Sequence, residues 1–236
     1  MKPNRSLEFE GRVNLAKLKK IVAVRVLSFF LISGLMFFWP AGTFRYWQAW
    51  VYISILFIPM LFVMACFFRK DPEFLERRIR MKEKEREQKA IIRWGSIVIL
   101  TVFVLPGFDR RFGWSSVPLA VVLVADFLVL AGYGLCILVF KENRYASRVV
   151  EVTAEQSVIT TGPYSHIRHP MYLAVLIMYI LSPLALGSNW AVLPALLLIF
   201  VLVARIKNEE KVLTQKLEGY REYLQRVRFR LIPGIW

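Results

Sequence analysis

The chain has 236 residues, of which 57% are apolar, and its formal net charge is +15. Soluble domains average about 45–50% apolar residues, so this combination indicates a membrane protein with basic loops. The basic residues alternate with long apolar runs, which argues against a nucleic-acid-binding surface. The only cysteines, Cys66 and Cys136, lie inside apolar runs, which argues against a structural disulfide or a zinc site.

Two polar segments flank the first pair of apolar runs. Residues 1–20 are mostly polar and basic, and they fit an interfacial helix and a solvated tail equally well. Residues 69–93 interleave acidic and basic side chains, a pattern typical of a solvated or surface-lying helix.

Six apolar runs predict six membrane spans, because about 20 apolar residues cross the hydrocarbon core of a bilayer. The predicted spans are residues 21–39, 47–68, 94–108, 117–140, 171–186 and 190–204. The last two form a predicted helical hairpin around Gly187-Ser188-Asn189. At about 1.5 Å per residue its arms reach only about 24 Å. Either they extend past these bounds or they lean within the bundle.

The distribution of Lys and Arg predicts the orientation in the membrane. Residues 1–25 hold seven, 69–93 ten, 141–170 four and 205–236 eight, which sums to 29 of the 32. Cytoplasmic loops carry the excess of basic residues. We therefore expect one multi-pass membrane domain over residues 1–236, with both termini and a C-terminal helix on the cytoplasmic side.

One acidic residue lies inside a predicted span. Asp126 belongs to the fourth run, where a carboxylate costs about 2.5–3.5 kcal/mol on insertion scales. A functional role and a hydrogen bond between packed helices remain equally good explanations. Gly132-Tyr133-Gly134 in the same run is more typical of close helix packing than of nucleotide binding.

Polar motifs lie at both ends of the predicted hairpin. Residues 162–172 read Gly-Pro-Tyr-Ser-His-Ile-Arg-His-Pro-Met-Tyr, and Pro170 suits the first turn of a helix. Arg205, Glu209 and Glu210 follow the second arm. Arg205 and Glu209 are four residues apart and share one helix face. Because the hairpin returns to the side where it began, both motifs should form one cytoplasmic site.

These motifs resemble those of the isoprenylcysteine carboxyl methyltransferase and phospholipid methyltransferase superfamily. The resemblance rests on Gly-Pro-Tyr, Arg-His-Pro-x-Tyr and Glu-Glu, then Tyr-x-x-Tyr-x-x-Arg-Val at 220–227 and Ile-Pro at 232–233. It covers roughly residues 125–236 and leaves residues 1–124 as N-terminal helices of variable role. It implies an all-α, polytopic membrane enzyme that transfers a methyl group from S-adenosyl-L-methionine to a lipophilic small-molecule or lipidated acceptor.

The resemblance also implies site residues. It places Tyr164, His169, Pro170 and Tyr172 in a loop around the cofactor, Glu209 as its acidic anchor and Arg205 at the carboxylate of the acceptor. The residue chemistry agrees, since carboxylates suit the donor's amine and ribose, and aromatic or apolar groups suit its adenine. Gln156 stands where the isoprenylcysteine subgroup tends to carry histidine. The predicted set is Arg205 and Arg168 for catalysis, and Gln156, Ile159, Tyr164, His169, Pro170, Met171, Tyr172, Glu209 and Glu210 for the cofactor, with no metal site.

Other interpretations of these motifs stay open. A carboxylate is the first choice of acceptor, whereas a lipid amine would require a base, for which His169 is the local candidate. NADPH-dependent membrane reductases have a related C-terminal half, but Met171 and Leu173-Ala174 differ from the motif expected of them. A non-catalytic membrane scaffold is the third alternative. The glutamates could also begin a solvated helix, and Tyr220 and Tyr223 could pin the C-terminal helix to the membrane surface.

Overall fold

The computed structural model describes residues 15–72, 86–143, 145 and 156–236. These residues form seven α-helices and one short 3-10 helix, with no strand among them, which confirms the all-α prediction for this part of the chain. The helices are α1 (Leu15–Ala41), α2 (Trp47–Lys70), α3 (Arg86–Phe112), α4 (Leu119–Glu142), the 3-10 helix Gly162–Ser165, α5 (Pro170–Ala185), α6 (Val192–Lys216) and α7 (Tyr220–Arg226).

Four of these helices, α1 to α4, are long and apolar enough to cross a membrane. The arms of the predicted hairpin differ from them. Helix α5 has only 16 residues, and α6 has 25 residues but becomes charged from Arg205 onward. The chain is therefore an integral membrane protein with four candidate spans among the described residues, while the count of six and the orientation of the termini remain predictions.

The predicted surface-lying segment 69–93 overlaps longer helices at both of its ends. Residues 69–70 complete α2, and residues 86–93 form about the first two turns of α3. The reason lies in tertiary packing, because Gln88 is completely buried and its Nε2 donates to the carbonyl oxygen of Arg205 at 3.3 Å. The third helix is thus much longer than the predicted span 94–108. Residues 73–85 of the segment, like the tail 1–14, lie outside the described residues.

Three helix connections meet at one end of the bundle, which we call the loop end. The Tyr46 hydroxyl donates to the carbonyl oxygen of Leu186 at 2.5 Å. The Asp109 carboxylate accepts hydrogen bonds from the Ser115 backbone N–H at 2.8 Å and from the Ser188 hydroxyl. These bonds join the α1–α2, α3–α4 and α5–α6 connections. Tyr46 is therefore a buried packing residue.

The largest hydrophobic cluster also lies toward the loop end. Its aromatic members are Phe37, Phe38, Tyr46 and Tyr52, and they pack with residues of α4 and with Leu186. Large buried aromatic and aliphatic side chains each contribute about 1.5–3 kcal/mol. The loop end is therefore the packed base of the bundle, and the motifs predicted to be functional lie at the opposite end.

Helices α4 and α5 approach each other closely at Gly132. A Cβ atom there would stand 2.8 Å from Met178 Cγ and 3.1 Å from the Ala174 carbonyl oxygen, so only glycine fits without a shift of the neighbouring helix. A Cβ atom at Gly134 would meet open space. Close packing therefore explains the first glycine of the Gly-Tyr-Gly sequence but not the second.

Asp126 lies seven residues after the start of α4, about 10 Å along the helix and about 7 Å from its centre. Its side chain is buried, and neither carboxylate oxygen has a hydrogen-bond partner within the described ranges. The interpretation as a helix-packing hydrogen bond therefore lacks its partner in this part of the chain.

The predicted topology places two exposed positions on opposite sides of the membrane. We expect a cysteine at Asn189, at the loop end, to react only with reagent added from the non-cytoplasmic side, because its connection carries no Lys or Arg. A cysteine at Gln225 in α7 should react only from the cytoplasmic side. Both positions are exposed, and the labelling uses a background in which Cys66 and Cys136 are alanine. Labelling of both positions from the same side would refute the predicted topology.

Candidate active site

The two ends of the α5–α6 hairpin are in direct contact, as the motifs predict. Pro170 begins α5, with His169 as the residue before it. The Tyr172 hydroxyl donates to Glu209 Oε2, and His169 Nε2 lies 3.2 Å from Glu210 Oε1. The structure thus brings the Arg-His-Pro motif onto the pair of glutamates.

A cavity opens beside this contact. It is open to solvent and has a volume of about 110 Å³. The residues that line it come from the end of α4, the loop before α5, both arms of the hairpin and α7. They are Asn143, Tyr145, Gln156, Ser157, Val158, Ile159, Tyr164, Arg168, His169, Met171, Tyr172, Arg205, Glu209, Leu213, Leu217, Tyr220 and Tyr223.

Nine of the eleven predicted site residues line this cavity, and two do not. Pro170 is buried at the start of α5, and Glu210 is buried behind the wall with only 7% of its surface exposed. Glu209, its neighbour, faces the cavity. The two glutamates therefore have different surroundings, although they are adjacent in sequence.

Tyr172 stands between Arg205 and Glu209 on the cavity wall. Arg205 Nε donates to the Tyr172 hydroxyl oxygen at 2.9 Å, and this hydroxyl donates to Glu209. The guanidinium of Arg205 also lies over the Tyr172 ring, 5.9 Å from its centroid. A cation, a phenol and a carboxylate thus form one continuous hydrogen-bonded chain.

Glu210 is the centre of a buried ion cluster. Its Oε1 accepts a hydrogen bond from Arg168 Nη1 at 3.0 Å, and its Oε2 accepts one from Arg230 Nε at 2.8 Å. Burial alone would raise the pKa of Glu210, but the hydrogen bonds from His169, Arg230 and Arg168 outweigh it and lower the pKa from 4.5 to about 2. Glu210 is therefore ionised at any physiological pH.

Arg168 lines the cavity, but its guanidinium is largely engaged by the protein. Besides Glu210, its nitrogens donate to the carbonyl oxygens of Val227, Leu224 and Arg228. The backbone N–H of Arg168 also donates to the Phe229 carbonyl oxygen. These contacts favour a role in fastening the C-terminal segment over a role in binding an acceptor.

Several cavity residues are not among the predicted ones. Leu213 continues the four-residue spacing of Arg205 and Glu209 along α6, so this periodicity could have predicted it. Tyr220 and Tyr223 belong to the C-terminal motif, and the Tyr223 hydroxyl donates to the Tyr164 carbonyl oxygen at 2.8 Å. Both tyrosines line the cavity, so their contacts do not fit the interpretation that they only anchor the C-terminal helix to the membrane surface.

The family comparison agrees with this geometry. Residues 122–215 match the model of the isoprenylcysteine carboxyl methyltransferase (ICMT) family, a segment that contains α5 and nearly all of α4 and α6. This match confirms the predicted resemblance, and the chain is a membrane-embedded methyltransferase. The C-terminal motifs at 220–233 lie beyond the matched segment.

Other comparisons add little. No curated protein matches the chain significantly. Among solved structures, the chain is similar to that of the eukaryotic intramembrane Ras methyltransferase ICMT (isoprenylcysteine carboxyl methyltransferase) without a monobody. The two are 15% identical, with 96% of this chain and 89% of that chain covered and a TM-score of 0.38. A similarity this low supports no inference about the present chain.

Replacing Glu210 should destabilise the fold. Glu210→Gln leaves the buried guanidinium of Arg168 without its counter-ion, and breaking a buried ion pair typically costs about 3–5 kcal/mol. We expect a lower unfolding temperature in detergent and faster proteolysis after Leu224. Glu209→Gln is the matched control, because the same chemical change is made on the next residue, which faces the cavity. Equal losses in both variants would contradict the structural role of Glu210.

The same cluster makes stability depend on pH. Because folding lowers the pKa of Glu210 from 4.5 to about 2, its contribution is fully present above about pH 4.5 and is lost as the pH falls toward 2. The unfolding temperature of the wild type should fall across this interval more steeply than that of Glu210→Gln. Parallel curves of unfolding temperature against pH for the two proteins would show that the pKa of Glu210 is the same in the folded and unfolded states.

Proposed function

We propose that the chain transfers a methyl group from S-adenosyl-L-methionine to a carboxylate on a lipophilic acceptor, at the cytoplasmic side of a membrane. The observation that carries the proposal is the hydrogen-bonded chain of Arg205, Tyr172 and Glu209 on the wall of one cavity. Arg205, which can bind an anion, and Glu209, which can bind a cation, therefore lie about one helical turn apart. Transfer of a methyl group from a cationic donor to an anionic acceptor requires two such groups close together.

The cavity residues fit the parts of this methyl donor. The Glu209 carboxylate suits the donor's ammonium group or ribose hydroxyls, since charge-assisted hydrogen bonds are the stronger ones. Tyr164, with Val158 and Ile159, offers aromatic and apolar surface for the adenine, and the amide of Gln156 can both donate and accept. When bound, the donor supplies a methyl group on a positively charged sulfur. The protein supplies position and a water-poor cavity.

Arg205 suits the carboxylate of a lipophilic acceptor. It follows the apolar first half of α6, so an acid with its chain in the bilayer would present its carboxylate near this depth. The planar guanidinium can bind a carboxylate through two parallel hydrogen bonds. A carboxylate is already ionised at pH 7, so alignment is the main requirement, and alignment can contribute about 7–11 kcal/mol.

The structure gives less support to the two other reactions. An amine acceptor needs a base, yet His169 is 4% exposed and its Nε2 contacts Glu210. NADPH carries several phosphates, yet Glu209 places an anion on the described wall, and the guanidinium of Arg168 is largely bound by backbone carbonyls and Glu210.

Cofactor titration tests the proposed donor directly. Detergent-solubilised protein should bind S-adenosylhomocysteine, and Glu209→Gln should weaken this binding about ten- to a hundredfold, since a hydrogen bond to a charged group contributes about 1.5–3 kcal/mol. Calorimetry with S-adenosylhomocysteine and with NADPH provides the measurement. Binding of NADPH alone would establish the reductase alternative, and undiminished affinity in Glu209→Gln would remove this residue from the cofactor site.

A conservative change at Arg205 tests the acceptor. Arg205→Lys keeps the charge but loses the planar fork, so we expect S-adenosylhomocysteine affinity to fall by only a few-fold while methyl transfer falls severely. Transfer to a carboxylate acceptor should fall more than transfer to any amine acceptor that the enzyme tolerates. Transfer at the wild-type rate would make Arg205 a residue that merely flanks the apolar part of α6.

A further inference from the structure

The direction of both hydrogen bonds at Tyr172 is fixed by chemistry. Arginine can only donate and an ionised carboxylate can only accept. The phenol oxygen must therefore accept from Arg205 Nε, and its single proton must point to Glu209. Tyr172 thus contacts both groups, and it does so from the opposite arm of the hairpin.

We propose that Tyr172 is a positioning residue that couples the acceptor site at Arg205 to the cofactor site at Glu209. This inference rests on the proposed function and goes one step further, because it makes the two ligands bind cooperatively. Arg205 and Glu209 both belong to α6. A group on another helix that is hydrogen-bonded to both side chains holds them in a defined relative position. Tyr172, in the first turn of α5, is such a group.

The coupling follows from side-chain entropy. Arginine and glutamate each lose much of their rotamer freedom when they are immobilised. Tyrosine is stiffer, with two side-chain torsions, and the Tyr172 ring is further confined by the His169 ring, 5.7 Å away between centroids. A ligand that orders Glu209 therefore stabilises its hydrogen bond to the confined Tyr172 hydroxyl, and this hydroxyl in turn orders Arg205. The second ligand then meets an already ordered partner, which produces positive cooperativity.

A double-mutant cycle isolates this link. S-adenosylhomocysteine affinity is measured by calorimetry for the wild type, Arg205→Lys, Tyr172→Phe and the double variant. Tyr172→Phe should lower the affinity about three- to tenfold, as expected for the loss of one hydrogen bond. Arg205→Lys should lower it a few-fold, and the double variant should bind as well as Tyr172→Phe alone, because the route from Arg205 to Glu209 is already cut.

Tyr164→Phe provides the matched control. It removes another phenol hydroxyl from the same cavity, one that accepts from Asn143 Nδ2 at 3.0 Å. It can weaken cofactor binding by itself, but Arg205→Lys should keep its full effect in this background. Loss of the Arg205 effect in both backgrounds would indicate general damage to the cavity and would overturn the specific role of Tyr172.

The linkage between ligands gives a second readout that a structural role would not change. A fatty acid of acceptor-like chain length, used as a non-reacting probe with S-adenosylhomocysteine, should raise the affinity of the wild type several-fold and that of Tyr172→Phe much less. Unfolding temperatures of the two proteins should be similar.

The outcomes separate this inference from the proposed function. If the wild type binds S-adenosylhomocysteine and transfers methyl groups but the losses in the cycle are additive, the coupling role is wrong and the function stands. Equal cooperativity in the wild type and Tyr172→Phe would lead to the same conclusion. If the wild type binds no S-adenosylhomocysteine, both proposals are overturned.

Discussion

The buried carboxylate of Glu210 accepts hydrogen bonds from Arg168 and Arg230 and contacts His169, and the candidate site depends on this cluster. Removing a carboxylate and its partners from water costs several kcal/mol per ion unless their hydrogen bonds are satisfied. Here the cluster joins α6, the start of α5 and the segment after α7, and α7 lines the cavity through Tyr220 and Tyr223. Neighbouring residues of a helix point about 100° apart. Glu210 can therefore enter the protein interior while Glu209 faces the cavity.

The cavity forms where the two arms of the hairpin differ in length. Helix α6 continues for seven residues beyond Glu209, about 10 Å, whereas the contacting residue Tyr172 lies in the first turn of α5. This extension of α6 carries Leu213, and Leu217 and Tyr220 follow it in a hydrophobic cluster with Val158. The apolar surface needed for a lipophilic or aromatic ligand is thus built by the part of α6 that has no counterpart in α5.

Sequence patterns predicted the features that depend on local periodicity or on a short hairpin. The contact between Tyr172 and Glu209 follows from two helices joined by a tight connection, and the start of α5 follows from Pro170. Features that depend on distant partners were not predictable. Nothing near Glu210 in sequence indicates that Arg230 will bind its carboxylate, and nothing near Gln88 indicates that it will contact the carbonyl of Arg205, 117 positions away. Charge density at residues 86–93 predicted a surface-lying helix, and residues 89, 90 and 93 are indeed exposed, but the burial of Gln88 against α6 makes this stretch the start of α3.

The arrangement of the two histidines bears on the choice of acceptor. The chain contains only His166 and His169. His169 contacts Glu210 in the buried cluster, and the Nδ1 of His166 lies 2.8 Å from the Ser165 hydroxyl at an exposed position. The Tyr172 hydroxyl already accepts from Arg205 and donates its proton to Glu209, so it is poorly placed to take a proton from an incoming amine. A carboxylate needs no proton removed before it attacks. A site that uses His169 to hold the fold, and Tyr172 to hold two charged side chains in register, is therefore better matched to a carboxylate than to an amine.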